Sequence, residues 1–138
     1  MQTHSFIALV GFIAWTLALL VLMEAERSRL VLAGQVPPNR FLPDNANLSA
    51  FMQRLARAHA NCIEGLPVFG GLLLAAIATG STSITDALAL VLLGARVFQS
   101  SVHLVSTSPM AATIRFAAFA VQVAIAVYWT WRLLADAV

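Results

Sequence analysis

The residues best suited to chemistry lie in one short stretch, RAHANCIE at positions 57–64. At about 100° per residue, Arg57, Asn61 and Glu64 share one narrow face of a helix. The stretch leads into a long apolar segment that carries almost no other charge. An ionisable group at membrane depth costs several kcal/mol unless something pairs with it. We therefore predict that these residues bind a ligand or take part in a reaction.

A second polar set shares one face of a later helix, and its members are Arg96, Gln99, Ser100 and His103. Counted at about 1.5 Å per residue from the turn at 80–83, Glu64 and Arg96 both lie roughly 19–24 Å up. That depth is inside a hydrocarbon layer of about 30 Å. We predict that the two side chains form an ion pair, because each charge alone is costly there.

The same count puts Asn61 and His103 roughly 28–30 Å up, at the cytoplasmic boundary of the membrane. Arg57 lies just above this level and Arg115 lies close to it. The residues together predict a polar pocket, with the ion pair as its floor and the asparagine, histidine and arginines at its rim.

The elements that position these residues are predicted to be membrane helices. The chain has 138 residues, of which 60% are hydrophobic and 10% are charged. Soluble domains have about a quarter charged residues, and a membrane span needs about 20 apolar residues. Four such spans are predicted, at about 5–23, 61–79, 83–105 and 109–134. The predicted fold is all-α, an integral membrane four-helix bundle that forms a single domain over 1–138.

Capping residues predict where the helices begin. Helix two is expected to start near Ser49 and to extend beyond the membrane. Ser83 and Asp86 have the spacing of a capping box for helix three. Ser108 is the predicted N-cap of helix four, with Pro109 in its first position.

Arginine placement predicts the orientation. The segment from the cytoplasmic loop, about 24–48, to the start of span two contains five of the eight arginines, namely Arg27, Arg29, Arg40, Arg54 and Arg57. The positive-inside rule then puts both termini outside the cytoplasm, and we expect a bacterial inner membrane. Aromatic residues at 128, 129 and 131 are expected to form an interfacial belt near the end of span four.

Several functions are disfavoured by composition and spacing. A net charge of +2 without a basic run argues against nucleic-acid binding. The single cysteine, Cys62, cannot form an intrachain disulfide, and we expect it to be a packing residue. His59, Cys62 and His103 lack a ligand spacing that would form a zinc site on one helix face. His59 faces away from Asn61 and is interpreted as a hydrogen-bonded structural or packing residue.

The stretch RAHANCIEGLPVF at 57–69 resembles the signature of the MAPEG family, the membrane-associated proteins in eicosanoid and glutathione metabolism. The chain length, the four spans, the long first loop and Gly94-Ala95-Arg96 are also similar to that family. The resemblance covers nearly the whole chain and is strongest to the prokaryotic branch. It implies a homotrimer of four-helix subunits that binds glutathione between neighbouring subunits near the cytoplasmic face.

The resemblance also implies roles for particular residues. Arg57, Asn61 and Glu64 match the glutathione contacts of helix two, and Arg96 matches a buried arginine of helix three. His103 stands where the eicosanoid enzymes usually have a tyrosine. Arg115 is the candidate for the arginine that stabilises the glutathione thiolate.

The chemistry of glutathione suits these residue types. Arginines hold its carboxylates through charge-assisted bonds, and Glu64 can accept its ammonium group. A nearby guanidinium lowers the pKa of a thiol from about 8.5, so that more of it is the reactive thiolate. A lipophilic small molecule entering from the membrane would then be conjugated or reduced. The expected activity is that of a membrane-bound glutathione transferase or peroxidase.

Other interpretations remain open from the sequence. Glu64 and Arg96 can serve only to fix helix register, and Arg54 can be an anchor for lipid headgroups. A non-catalytic, lipid-binding scaffold of the same fold is one alternative, favoured by Ala60 at a position where the eicosanoid enzymes carry an arginine. A small transporter or proton pathway is another, although the charges cluster at one end and form no continuous polar path.

Overall fold

A computed structural model describes residues 2–138 and contains four α-helices. They are α1 (His4–Leu32), α2 (Ala50–Ala78), α3 (Thr82–Val105) and α4 (Pro109–Asp136). Each is long and apolar enough to cross a membrane. Many of their outward-facing side chains are apolar, as residues in contact with lipid must be. The predicted all-α, four-helix membrane fold is confirmed.

Two of the predicted helix starts are confirmed by their caps. The Ser49 side chain accepts a hydrogen bond from the Met52 backbone N–H, and α2 begins at the next residue. Ser108 does the same for the Ala111 N–H, and Pro109 occupies the first position of α4. An N-cap serine satisfies one of the four backbone donors that the first helical turn leaves free.

The predicted capping box of α3 is wrong. The helix begins at Thr82 after Ser81, and no side chain caps it. Oδ1 of Asp86 instead accepts hydrogen bonds from the backbone N–H and the hydroxyl of Ser5, at 2.8 and 2.6 Å. Asp86 therefore satisfies a free donor in the first turn of α1, where the helix dipole also favours a negative charge.

The first helix continues past the predicted end of its membrane span. Glu24, Glu26, Arg27 and Arg29 lie in regular helical turns and form ion pairs of 3.1 Å (Arg27–Glu24) and 2.9 Å (Arg29–Glu26). The connection to α2 is therefore shorter than the predicted loop at 24–48. Ion pairs at this spacing support a helix, so the charged cluster extends α1 into the aqueous boundary.

The connection between α1 and α2 is held by one buried side chain, Asn45. Its Oδ1 accepts hydrogen bonds from Nε and Nη2 of Arg27, at 3.1 and 2.6 Å, and its Nδ2 donates to the Met52 carbonyl at 2.8 Å. Asn45 has φ 54°, a left-handed conformation that asparagine tolerates better than most residues. Arg27 also lies over the Phe41 ring, 5.5 Å from its centroid.

The packing leaves one side of the bundle open. Helices α1, α2 and α3 contact one another, and α4 packs chiefly on α3. In the part of the chain that the structure describes, α4 makes few contacts with α2 and none with α1. A groove therefore runs between α2 and α4, with α3 beneath it.

Trp129 does not belong to an interfacial belt. Its side chain is fully buried in the core, with Phe12, Leu73 and Leu92, whereas Tyr128 and Trp131 are exposed as expected. Successive residues of a helix point about 100° apart, so one member of the aromatic cluster faces inward when its neighbours face outward.

Candidate functional site

All the predicted site residues except Arg115 line two grooves at successive levels of α2. The membrane groove lies between α2 and α4, has a volume of about 860 Å³, and includes Asn61, Glu64, Arg96 and Gln99. The rim groove lies beside the first half of α2, has a volume of about 620 Å³, and includes Arg54, Arg57 and His103. The predicted pocket is thus divided between a deeper part and a part at the helix ends.

The membrane groove is polar at one end and apolar along the rest of its length. Its polar end is formed by the residues from α2 and α3 named above. Its apolar wall comes mainly from α4 and consists of Phe119, Val123, Ala126, Val127, Trp131 and Leu134. From Val123 to Leu134 this wall extends about 16 Å along the helix. The shape suits an elongated lipophilic molecule with one polar end.

Arg96 is the most deeply buried charge of the chain, with 2% of its surface exposed. Its guanidinium carbon lies 5.3 Å from the ring centroid of Phe12 and 5.4 Å from that of Phe69. Nη1 donates to the backbone carbonyl of Asn61 at 3.2 Å. Nε and Nη2 are buried without a hydrogen-bond partner. Two aromatic faces thus surround the cation, and each such contact contributes up to about 2 kcal/mol when desolvated.

The predicted ion pair between Glu64 and Arg96 is not formed. Within residues 2–138 the ion pairs shorter than 4.0 Å are those of Arg27 and Arg29 on α1. Glu64 is exposed in the membrane groove, whereas the Arg96 guanidinium passes beneath Gly65 towards α1. Glu64 and Arg96 line the same groove, as their similar depth along the helices predicts. Their side chains differ in direction, because the Arg96 guanidinium lies between Phe12 and Phe69.

The rim groove carries a net positive charge. Nε of Arg54 donates to the Leu104 carbonyl at 2.8 Å, which ties the start of α2 to the end of α3. The His103 imidazole is buried. Arg54, Arg57 and Arg115 lie near enough for their charges to act on it. These groups come from α2, α3 and α4, so the tertiary fold gathers them at one end of the bundle.

The connection between α1 and α2 supplies the other wall of the rim groove, through Pro43, Asp44 and Ala46. The Asp44 carboxylate accepts a hydrogen bond from the Ala46 N–H at 3.1 Å and makes no ion pair with an arginine of the described chain. The groove therefore keeps an excess of positive charge, which favours an anionic ligand.

Arg115 takes a less open position than Arg57. Its Nε is buried and has no hydrogen-bond partner within residues 2–138. An unpaired buried donor is costly, and this nitrogen has almost no exposed surface through which a ligand could reach it.

Gln122 of α4 was not among the residues predicted from the sequence. This side chain is fully buried, and its Nε2 donates to Oε1 of Gln99 at 2.9 Å. The signal was present, because a single amide within a long apolar span is costly unless it has a partner. Phe12 and Phe69 were missed too, since aromatic residues in apolar helices are ordinary core residues.

Cys62 and His59 line neither groove. Cys62 is buried, and its sulfur lies 3.5 Å from the Ser100 hydroxyl, in accord with the predicted packing role. His59 is half-buried, but its Nε2 has no hydrogen-bond partner among the described residues. The predicted hydrogen bond is therefore not made through that nitrogen.

The family model described as the MAPEG family matches residues 5–135, nearly the whole chain. No curated protein and no solved structure matches the chain.

Proposed function

Because this chain belongs to the MAPEG family of membrane proteins in eicosanoid and glutathione metabolism, we propose that it binds glutathione at the cytoplasmic end of its helices. One observation carries the proposal. Arg57, Asn61 and Glu64 lie on one face of α2 and open onto the rim groove and the membrane groove in turn. Cationic and anionic groups are thus offered at successive levels to one elongated ligand.

The residues fit the charges of glutathione. The rim groove offers Arg57 and His103 to a carboxylate, and arginine forms the stronger, charge-assisted bonds. Glu64 is exposed and free of an ion pair in the described chain, so it is available to the ligand ammonium group. Asn61 lies between them and lines the membrane groove. Arg96 contributes by binding the Asn61 carbonyl and so holding that turn of α2 in place.

The proposed reaction joins the glutathione thiol to a lipophilic electrophile. Arg115 is the proposed activating group, because a guanidinium close to the sulfur favours the thiolate. The thiolate sulfur forms a bond to an electrophilic carbon, and the leaving group departs with the bonding electrons. The electrophile would lie along the apolar wall of the membrane groove, which opens towards lipid. Reduction of a lipophilic peroxide by two glutathione molecules, which become a disulfide, is the related outcome.

The assembly and orientation are part of the same proposal. We expect a homotrimer in which a neighbouring subunit completes the glutathione site, with both termini outside the cytoplasm. The exposed apolar side chains around the membrane groove are available to lipid or to another subunit. Native mass spectrometry from mild detergent would test the stoichiometry, and labelling of single cysteines added at each terminus would test the orientation.

The decisive experiment uses purified protein in detergent micelles. Calorimetry with glutathione measures binding, and formation of a conjugate with a generic aryl halide measures turnover. Saturable binding together with turnover supports the transferase. Absence of both binding and turnover would remove the glutathione proposal.

A non-catalytic scaffold is the second candidate. Ala60 lines the rim groove and supplies no charge to it. A lower affinity for the anionic part of glutathione would follow, and lipid could then occupy the grooves. Binding of glutathione or lipid without turnover of any aryl halide or peroxide tested would favour this candidate.

A further inference from the structure

A pair of hydrogen-bonded amides lies beside the membrane groove. Gln122 of α4 is fully buried, and Gln99 of α3 lines the groove. Nε2 of Gln122 donates to Oε1 of Gln99 at 2.9 Å and to the backbone carbonyl of Ala118 at 3.0 Å. The two side chains therefore form a short chain of hydrogen bonds from the backbone of α4 to the groove.

The orientation of both amide groups follows from which atoms can donate and which can accept a hydrogen bond. A carbonyl oxygen can only accept, so the atom of Gln122 that faces Ala118 must be its nitrogen. The reverse orientation would bring two oxygens within 3.0 Å of each other. Because the same nitrogen meets Gln99, the Gln99 atom at that contact must be its oxygen. The Gln99 amide nitrogen is thereby left without a partner in the described chain.

The arrangement has a cost that a purely structural amide would avoid. Oε1 of Gln122 is buried without a hydrogen-bond partner. An unsatisfied buried acceptor costs about 1–3 kcal/mol. Methionine or leucine at 122 would fill similar volume without that cost, so the amide is better explained by its effect on Gln99.

The other polar groups of the membrane groove offer no comparable fixed donor. Nε and Nη2 of Arg96 are buried, and its Nη1 is bound to the Asn61 carbonyl. The Thr130 hydroxyl donates to the Ala126 carbonyl at 2.8 Å. An ionised carboxylate at Glu64 only accepts, and the Asn61 side-chain amide makes no hydrogen bond in residues 2–138 that would fix its direction.

We propose that Gln99, oriented by Gln122, is a specificity-determining donor that selects lipophilic molecules with an uncharged hydrogen-bond-accepting oxygen, such as a ketone or ester carbonyl, at the polar end of the membrane groove. The proposal takes one assumption from the proposed function, namely that the membrane groove holds the lipophilic substrate. Glu64 and Arg96 both line this end of the groove and their charges cancel, which favours an uncharged oxygen there. Gln99 binds the oxygen, and Gln122 acts through Gln99 as a positioning residue.

Isotope-edited infrared spectroscopy tests the hydrogen bond directly. The protein in lipid nanodiscs is loaded with a long-chain methyl ketone that carries carbon-13 at its carbonyl, without glutathione. Empty nanodiscs provide the band of ketone dissolved in lipid. A carbonyl that accepts a hydrogen bond absorbs at lower frequency, so the protein sample should show an additional, lower band.

Variants then assign the donor. Gln99→Met, which keeps the length of the side chain but has no donor, should abolish the lower band. Gln122→Met should broaden or split it, because the Gln99 amide becomes free to turn. Thr113→Val is the control, because this α4 hydroxyl lies outside the membrane groove and donates to the Pro109 carbonyl, so the variant should leave the band unchanged.

Three results would overturn the proposal: no lower band in the wild-type protein, an unchanged band in Gln99→Met, or an unchanged band in Gln122→Met. Retained folding of each variant is checked by its helical circular dichroism. Because glutathione is absent, failure of this experiment leaves the glutathione calorimetry as an independent test.

Discussion

Gly65 of α2 and Arg96 of α3 are in direct contact, since a Cβ atom at Gly65 would lie only 2.7 Å from Nη2 of Arg96. The same Cβ would approach the Phe69 ring to 3.1 Å. A glycine at 65 therefore makes the space in which the guanidinium sits between Phe12 and Phe69. A side chain there requires the guanidinium to shift from this position.

Gly65→Ala is expected to lower stability. Alanine is a better helix former than glycine by about 1 kcal/mol, so a Gly→Ala substitution without steric conflict would stabilise the helix. Overpacking against Arg96 should outweigh this gain and destabilise the fold by about 1–3 kcal/mol. Thermal unfolding in detergent, followed by circular dichroism, measures the difference.

Gly94→Ala is the matched control, because a Cβ at Gly94 meets nothing within 4 Å. It lies on α3, two residues before Arg96. We expect an unchanged or slightly higher unfolding midpoint. Equal destabilisation by both substitutions would mean that the contact with Arg96 is not the cause.

Arg27→Ala should release the connection between α1 and α2. The variant loses the hydrogen bonds to Asn45 and to the Leu42 carbonyl, and hydrogen bonds of a charged group contribute about 1.5–3 kcal/mol. Hydrogen exchange of residues 33–48 should become faster. Arg29→Ala removes only an exposed ion pair worth about 0–1 kcal/mol, so its exchange pattern should resemble that of the wild type.

Asp86→Ala should destabilise the end of the bundle at which α1 begins. The backbone N–H of Ser5 loses its acceptor, and loss of a capping interaction costs about 0.5–2 kcal/mol. Ser83→Ala changes the first residue of the predicted capping box. It should have little effect, since α3 has no side-chain cap. A larger loss in Ser83→Ala than in Asp86→Ala would contradict the observed hydrogen bonds.

Glu64→Gln should weaken glutathione binding about tenfold, the equivalent of 1.4 kcal/mol, if the carboxylate holds the ligand ammonium. Its thermal stability should not fall, because Glu64 makes no ion pair in the described chain. Calorimetry of the variant and of Glu26→Gln, which lies on α1, separates ligand binding from a general charge effect. Misassembly with normal binding by any retained trimer would instead indicate a structural role.

Arg115→Ala should reduce kcat more than it raises KM for glutathione. Removing a guanidinium that lowers the thiol pKa by one unit would reduce the thiolate fraction about tenfold near neutral pH. Steady-state kinetics with an aryl halide measures both constants. Arg132→Ala is the control, since that arginine is exposed near the end of α4 and contacts Tyr128. Equal losses in kcat and in glutathione affinity would argue against thiolate activation.

Some of the site was predictable because it depends on local order along the chain. Helical periodicity places Arg57, Asn61 and Glu64 on one face, and depth counted along two helices brings Glu64 and Arg96 to one groove. Neither helical periodicity nor depth along a helix specifies the direction that a side chain takes once the helices pack together. Arg96 turns towards Phe12 of α1, a contact between residues 84 positions apart, so the ion pair expected from depth alone is absent.

By itself the amino-acid sequence determined the properties that each helix carries alone. Long apolar segments dictated four membrane helices, and Ser49 and Ser108 dictated two of their starts, because hydropathy and capping act within a few residues. The tertiary structure alone decided that Asp86 serves α1, that Trp129 faces the core, and that Gln122 orients Gln99. Those outcomes depend on the rotation and relative height of neighbouring helices, which are set by packing between residues far apart in the chain.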